Sequence, residues 1–194
     1  MEMFKDKFNI ETAYRFSLLD TSSNRANEIE QKITKQLELG KLSNLDYKKY
    51  LNELRAESVI LKQTVEKNLV TLAGRKVLVD VLGGVGTYTG VINYCGLGSS
   101  DSAPDSSNVA LGSELARKPI ASVDESSVAS GIVTLNFFFN KGDFSGSVEE
   151  FGLFIDGTTL VDTGQLFSRG LTSSTFTKTI SNTLTIEIQL TANE

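Results

Sequence analysis

The chain of 194 residues contains no histidine, no tryptophan and a single cysteine, Cys95. Without imidazole there is no Ser-His-Asp triad, no Cys-His dyad, no HExxH zinc site and no imidazole metal ligand. One cysteine excludes an internal disulfide, a thiolate zinc cage and an iron–sulfur cluster held by one chain. No run of 18 or more apolar residues is present, so no membrane span is expected. The opening Met1-Glu2-Met3-Phe4-Lys5-Asp6 lacks the basic and apolar regions of a signal peptide, so Sec-type export is not expected. Lys and Arg number 19 against 24 Asp and Glu, a net charge of −5, which argues against a nucleic-acid surface. What is present, 40% hydrophobic and 22% charged residues, is the make-up of a folded chain.

Composition changes near Gly74. Residues 1–75 hold 13 of the 19 Lys and Arg and only two glycines, whereas residues 76–194 hold 14 of the 16 glycines and 13 acidic residues. The first part reads as charge-laced helix and the second as turn-rich β-structure. Three segments are therefore expected: an arm over 1–22, a helical attachment module over 23–74 and an antiparallel β-domain over 75–194.

In the first segment Tyr14, Phe16 and Leu18 alternate with polar residues, and Phe4 and Phe8 lie upstream. This suits either a terminal strand folded on its own module or an arm, Phe4, Phe8, Tyr14 and Phe16, docking on a neighbouring subunit. A helix is expected from Ser23 or Asn24, with Ala26, Ile29, Ile33 and Leu37 on one face and Gly40 closing it. A second, capped by Ser43 or Asn44, is expected to run to Leu72. Tyr47, Leu51, Leu54, Ser58, Leu61, Val65, Asn68 and Leu72 then form a heptad seam roughly 40 Å long at about 1.5 Å per residue. The two helices form a hairpin within the chain, pack in a homo-oligomeric bundle, or do both. Tyr47, Leu51, Leu54, Leu61 and Val65 are the helix-packing candidates.

Beyond Gly74, Arg75–Leu82 suits either a short helix or a buried strand. Tyr88–Leu97, Gly131–Asn140 and Thr183–Thr191 read as strands. In the second of these Val133, Leu135, Phe137 and Phe139 face the core; in the third Leu184, Ile186, Ile188 and Leu190 do. Phe151–Ile155 and Thr159–Val161, around an Asp156-Gly157 turn, read as a hairpin. The expected fold is α+β, an N-terminal helical hairpin or coiled-coil-like module followed by an antiparallel sandwich or barrel-like domain.

Signals of chemistry are weak. Asp143, Glu149, Glu150, Asp156 and Asp162 offer paired carboxylates for glycoside hydrolysis, but sugar clefts present aromatic faces and this chain has no Trp. Asp101 and Asp105 offer oxygens to Ca²⁺ without an EF-hand pattern. Gly83-Gly84-Val85-Gly86 lacks the Lys-Ser/Thr of a P-loop and precedes a strand signal. Cys95 reads as a small buried hydrophobe. No enzyme activity, cofactor or metal is expected.

One resemblance stands out. Val91-Ile92-Asn93-Tyr94-Cys95-Gly96-Leu97-Gly98-Ser99 is followed by Ala103-Pro104-Asp105 and Leu111-Gly112-Ser113-Glu114-Leu115-Ala116-Arg117, then Glu150-Phe151-Gly152-Leu153-Phe154 and Leu166-Phe167-Ser168. In order and spacing these segments, within residues 68–192, resemble a pattern of tailed-bacteriophage virion structural proteins. Gly96 and Ser99 replace the usual Ala and Thr, and Ser100 a common Gly. The resemblance implies a non-enzymatic β-domain of the head-decoration or tail-fibre type, assembled in the host cytoplasm into the virion. Its partners would be other virion proteins and copies of itself, a trimer being one form, with no nucleic acid and no membrane. A host receptor or surface glycan, met by the 99–108 loop, is the alternative partner.

Overall fold

The computed structural model describes residues 9–193. Nine strands are present: β1 (Asn9–Asp20), β2 (Val59–Lys67), β3 (Leu69–Val70), β4 (Ile92–Gly98), β5 (Glu114–Asp124), β6 (Ile132–Phe139), β7 (Gly146–Ile155), β8 (Gln165–Lys178) and β9 (Asn182–Asn193). They follow the order β2-β1-β9-β6-β5-β4-β7-β8-β3, every pair antiparallel, in one nearly closed barrel. Three short helices accompany them: α1 (Asn24–Glu38), α2 (Asn44–Ala56) and α3 (Leu72–Leu82).

The period-2 alternation of the strands decides what fills the barrel. Tyr14, Phe16 and Leu18 of β1, Leu135, Phe137 and Phe139 of β6, and Leu184, Ile186 and Ile188 of β9 all point inward and are buried together. The Phe151 ring lies 4.4 Å from Tyr14 and 5.1 Å from Phe16, tilted against both, an arrangement aromatic pairs favour. β5 turns the corner of the barrel. Its first half pairs with β4 and its second with β6, and Pro119, which has no N–H to give a ladder, ends the first of these.

Closure rests on side chains. β2 and β3 occupy opposite ends of the strand order yet are separated only by Asn68. Asn68 accepts from the Thr12 hydroxyl and donates to Tyr14 Oη at 3.3 Å, and Tyr14 Oη meets Ser168 Oγ at 2.7 Å. This chain of hydrogen bonds carries β1 across to β8. Further along, Lys62 Nζ donates to the Ser174 carbonyl at 2.8 Å and Ser173 donates to Glu66.

α1 and α2 cover part of the barrel's outer face. Ser23 and Ser43 accept from Ala26 N and Asp46 N as N-caps, and Gly40 takes the left-handed position after α1 (φ 62°). Ala26, Ile29, Ile33, Tyr47, Leu51 and Leu54 pack on Leu19, Ala121 and Phe138, the outward residues of β1, β5 and β6. Lys48 joins α2 to Asp124 of β5 at 2.5 Å. Hydrogen bonding from Lys48, then from Ser126, holds the Asp124 carboxyl at about 2. Because the folded-state value is depressed, the gain is complete above the ordinary Asp value of about 3.9 and is lost as pH falls toward 2. Thermal melts of wild type and Lys48→Met from pH 6 to pH 2 therefore show a gap in melting temperature that closes at the acid end. A pH-independent gap contradicts the assignment.

The expected helical hairpin followed by a sandwich is corrected. Strands precede, interrupt and follow the helices, and all join one barrel; no coiled coil is present among the described residues. The second helix stops at Ala56 rather than Leu72. Val59, Ile60, Thr64 and Val65, β-branched residues stiff at χ1, suit a pleated strand better than a helix, and β1 offers them a ladder. The apparent heptad is thus split: Tyr47, Leu51 and Leu54 on α2, and Leu61 and Val65 on β2. Arg75–Leu82 is helical, with Gly74 required because a Cβ there would stand 2.4 Å from the Phe167 carbonyl oxygen. The hairpin after Ile155 returns at Gln165, so Thr159–Val161 belong to the turn.

Candidate functional site

The segments that carry the family resemblance meet in one polar framework. Glu150, on β7, is fully buried. Its Oε1 accepts from Ser113 N at 2.7 Å and Ser100 N at 3.3 Å; its Oε2 accepts from Gly112 N at 2.9 Å and Arg169 Nε at 2.8 Å. Arg169 on β8, equally enclosed, donates onward to the Ser102 carbonyl (2.9 Å), the Ala103 carbonyl (3.3 Å) and Asn108 Oδ1 (3.1 Å). One ion pair thus pins both arms of the 99–113 loop to the sheet. Gly98 is required beside it, since a Cβ would come within 2.4 Å of Glu150 Oε1.

A second pair does the same for the turn between β7 and β8. Arg117 forks onto Glu114 through Nε (2.5 Å) and Nη2 (2.6 Å), and its Nη1 donates to the Thr163 carbonyl at 2.9 Å. Its guanidinium lies 4.2 Å from the Phe154 ring centroid. Asn93 exchanges two hydrogen bonds with Gly157, and Asp156 accepts from Thr89 N. Bidentate, desolvated pairs of this kind are strong positional anchors.

Most of the chemical candidates read from sequence have structural partners or settings of their own. Each oxygen of Glu150 already accepts two hydrogen bonds, so neither is open to a substrate proton. Glu149, its neighbour, sits where the β7–β8 register shifts, and with both oxygens of Glu150 already committed the two do not form an acid–base carboxylate pair. Asp143 is spent on Lys118 Nζ (2.8 Å) and Asn140 N (2.7 Å). Asp105 is held below the usual carboxylate range by hydrogen bonds from Ser107. Gly83–Gly86 follow the C-terminus of α3, the end of a helix that repels anions. Cys95 is buried, and burial pushes its thiol up. A hollow of about 520 Å³ along α1 is open and lined by polar residues, among them Asn27, Glu30, Thr34, Lys35, Asn140 and Lys141, with no aromatic ring.

Of the assembly candidates read from sequence, Phe4 and Phe8 lie outside the described residues. Tyr14 and Phe16 are interior residues of the barrel, and Tyr47, Leu51 and Leu54 are buried between α2 and the sheet. Burial pushes the phenols of Tyr14 and Tyr47 up. Only Leu61 and Val65 face solvent, with Val65 64% exposed. They have company that sequence reading passed over: Leu82, 85% exposed at the end of α3, with Val85, Val91, Leu160 and Val161 in the adjoining loops. Arg169 and Lys178 were also passed over. Both are cations of β8, a strand with no acidic residue, which was the available signal. Lys178, enclosed, donates to the Phe144 carbonyl at 3.0 Å and that of Lys141 at 3.2 Å, and burial lowers its pKa.

No helix among the described residues is long and apolar enough to cross a membrane. No protein-family model, curated protein or solved structure matches this chain.

Proposed function

We propose that this protein is a non-enzymatic structural component of a tailed-phage particle, present in many copies on the head or on the tail or fibre. The observation that carries the reading is aliphatic surface left in water on a rigid barrel: Leu61 and Val65 on one side, and Leu82, Val85, Leu160 and Val161 on another. Exposed apolar surface, where it gathers into patches, marks surfaces used against other proteins. The buried Glu150–Arg169 and Glu114–Arg117 pairs support it, because they spend ionisable groups on holding loops still rather than on a cleft. The sequence resemblance supplies the setting. The contacts differ from the helix and arm packing expected from sequence, since those side chains are consumed by the chain's own core.

The test is the composition of particles from a host producing the chain, read by quantitative mass spectrometry, beside binding of the labelled protein to host cells. Many copies per particle and no binding to cells is the expected result. Absence from the particle with saturable binding to cells would instead make it a receptor- or glycan-binding module.

A further inference from the structure

We infer that β2 is a hinged flap: it swings briefly on its β1 ladder away from β8, opening the barrel at one seam while the other strands stay folded. The flap goes beyond the particle role proposed above and does not depend on it.

The seam lies where a ladder stops. β3 pairs with β8 through Leu69–Arg169 and Val70–Ser168, and the same line extended past Asn68 would pair β2 with β8. The two strands do run on side by side. A Cβ on Gly170 would stand 2.9 Å from the Lys67 carbonyl oxygen, and the Lys62 ammonium lies 5.4 Å from the Phe176 ring centroid. Yet among the described residues β2 has a ladder with β1 alone. Side chains do the joining instead. Lys62 Nζ donates to the Ser174 carbonyl at 2.8 Å, to Ser174 Oγ at 2.5 Å and to the Thr175 carbonyl at 3.3 Å, and Ser173 Oγ donates to Glu66 Oε1 at 2.8 Å. The three bonds of Lys62 are exposed, so water competes for both partners.

Little else holds β2 down. Of its nine residues only Glu66 is buried, while Val59, Leu61 and Val65 turn outward at 65%, 51% and 64% exposed. The strand therefore adds little apolar burial to the barrel. Its ladder with β1 is interrupted between Leu18 and Leu19 by a bulge that leaves Leu61 without a partner. Beneath the seam lies a packing gap lined by Phe16, Leu18, Lys62, Thr64, Phe176 and Leu184, and the Thr64 hydroxyl is enclosed with no hydrogen-bond partner. The gap forfeits dispersion contacts in the closed seam, and opening returns the enclosed hydroxyl to water.

The two ends set the direction of the swing. At one, Asn68 is tied to Thr12 and Tyr14 while β3 stays on β8, which staples the seam. At the other, the Glu57 carbonyl accepts from Ser23 Oγ at 3.1 Å, the N-cap residue of the helix that follows β1, a contact on the β1 side of the seam. The flap accordingly opens from Val59 towards Asn68. Opening of one weakly held unit below the global stability is an ordinary mode of folded chains, and here it bares Phe16, Leu18, Phe176 and Leu184.

Amide hydrogen exchange read by mass spectrometry on the full chain, over a urea series below the unfolding transition, tests the flap. Peptides covering 59–67 exchange on the order of a hundredfold faster than those covering β9, and with weaker dependence on urea, because opening exposes less surface than unfolding. Lys62→Met, shown to fold by its thermal melt, speeds exchange in 59–67 by about tenfold and leaves β9 unchanged. Exchange of β2 and β9 at one rate with one urea dependence would overturn the flap. So would a Lys62→Met variant that speeds both strands alike, or one that leaves 59–67 as in wild type.

Discussion

Replacing Arg169 with Met lowers the stability of the chain by about 3–5 kcal/mol, the loss that follows when one member of a buried ion pair is removed. Methionine keeps an unbranched apolar stem and removes the guanidinium, so the loss is chiefly electrostatic rather than that of a cavity. It leaves the Glu150 carboxylate enclosed with three backbone amides and no counter-charge, and it strips donors from the carbonyls of Ser102 and Ala103. A net stability of roughly 5–15 kcal/mol is usual for a domain, so a large share of the margin goes. Urea titration followed by circular dichroism reads the effect as a shift in midpoint. Glu150→Gln placed on Arg169→Met removes the stranded charge and restores part of the loss. A single-variant change below 1 kcal/mol would show that the 99–113 loop does not depend on this pair.

A chain truncated to begin at Thr21 does not fold. An arm could be removed and leave a soluble core, but β1 is an interior strand. It pairs along its whole length with β9 and along most of it with β2, which has no other ladder partner. It also places Tyr14, Phe16 and Leu18 in the barrel core. Truncating even one such aromatic to Ala costs about 3–5 kcal/mol, so losing three core side chains and both ladders exceeds the stability available. Near-UV circular dichroism and the thermal transition both disappear. A truncated chain with a cooperative melt close to that of the full protein would return residues 9–20 to the status of an appendage.

Several local elements were readable because a short-range rule decides them. Ser23, Gly40 and Ser43 mark helix ends through backbone hydrogen bonds and a left-handed φ, and they mark them in the structure. The alternation in Gly131–Asn140 and Thr183–Thr191 named the inward residues of β6 and β9 correctly. The heptad through Leu54, Leu61 and Val65 misled, because a spacing of three and four is also met by chance where a helix hands over to a strand. The framework was half visible. Glu150 and the Glu114–Arg117 segment lay within the resemblance, but Arg169 did not, and no local pattern links positions 150 and 169 to a loop at 99–113.

By itself the amino-acid sequence determined the chemistry this chain lacks, the caps and bounds of α1, the start of α2, and the alternation of its long strands. These depend on residue type and on neighbours within a few positions. Only tertiary structure decided that β1 and β2 lie in the same barrel as β9, that Tyr14, Phe16, Tyr47, Leu51 and Leu54 are spent internally, and that Leu61, Val65, Leu82 and Leu160 are left facing water. Whether an apolar residue is buried depends on what the rest of the chain brings against it, and strand pairing across more than a hundred residues, as between β1 and β9, leaves no trace in local spacing.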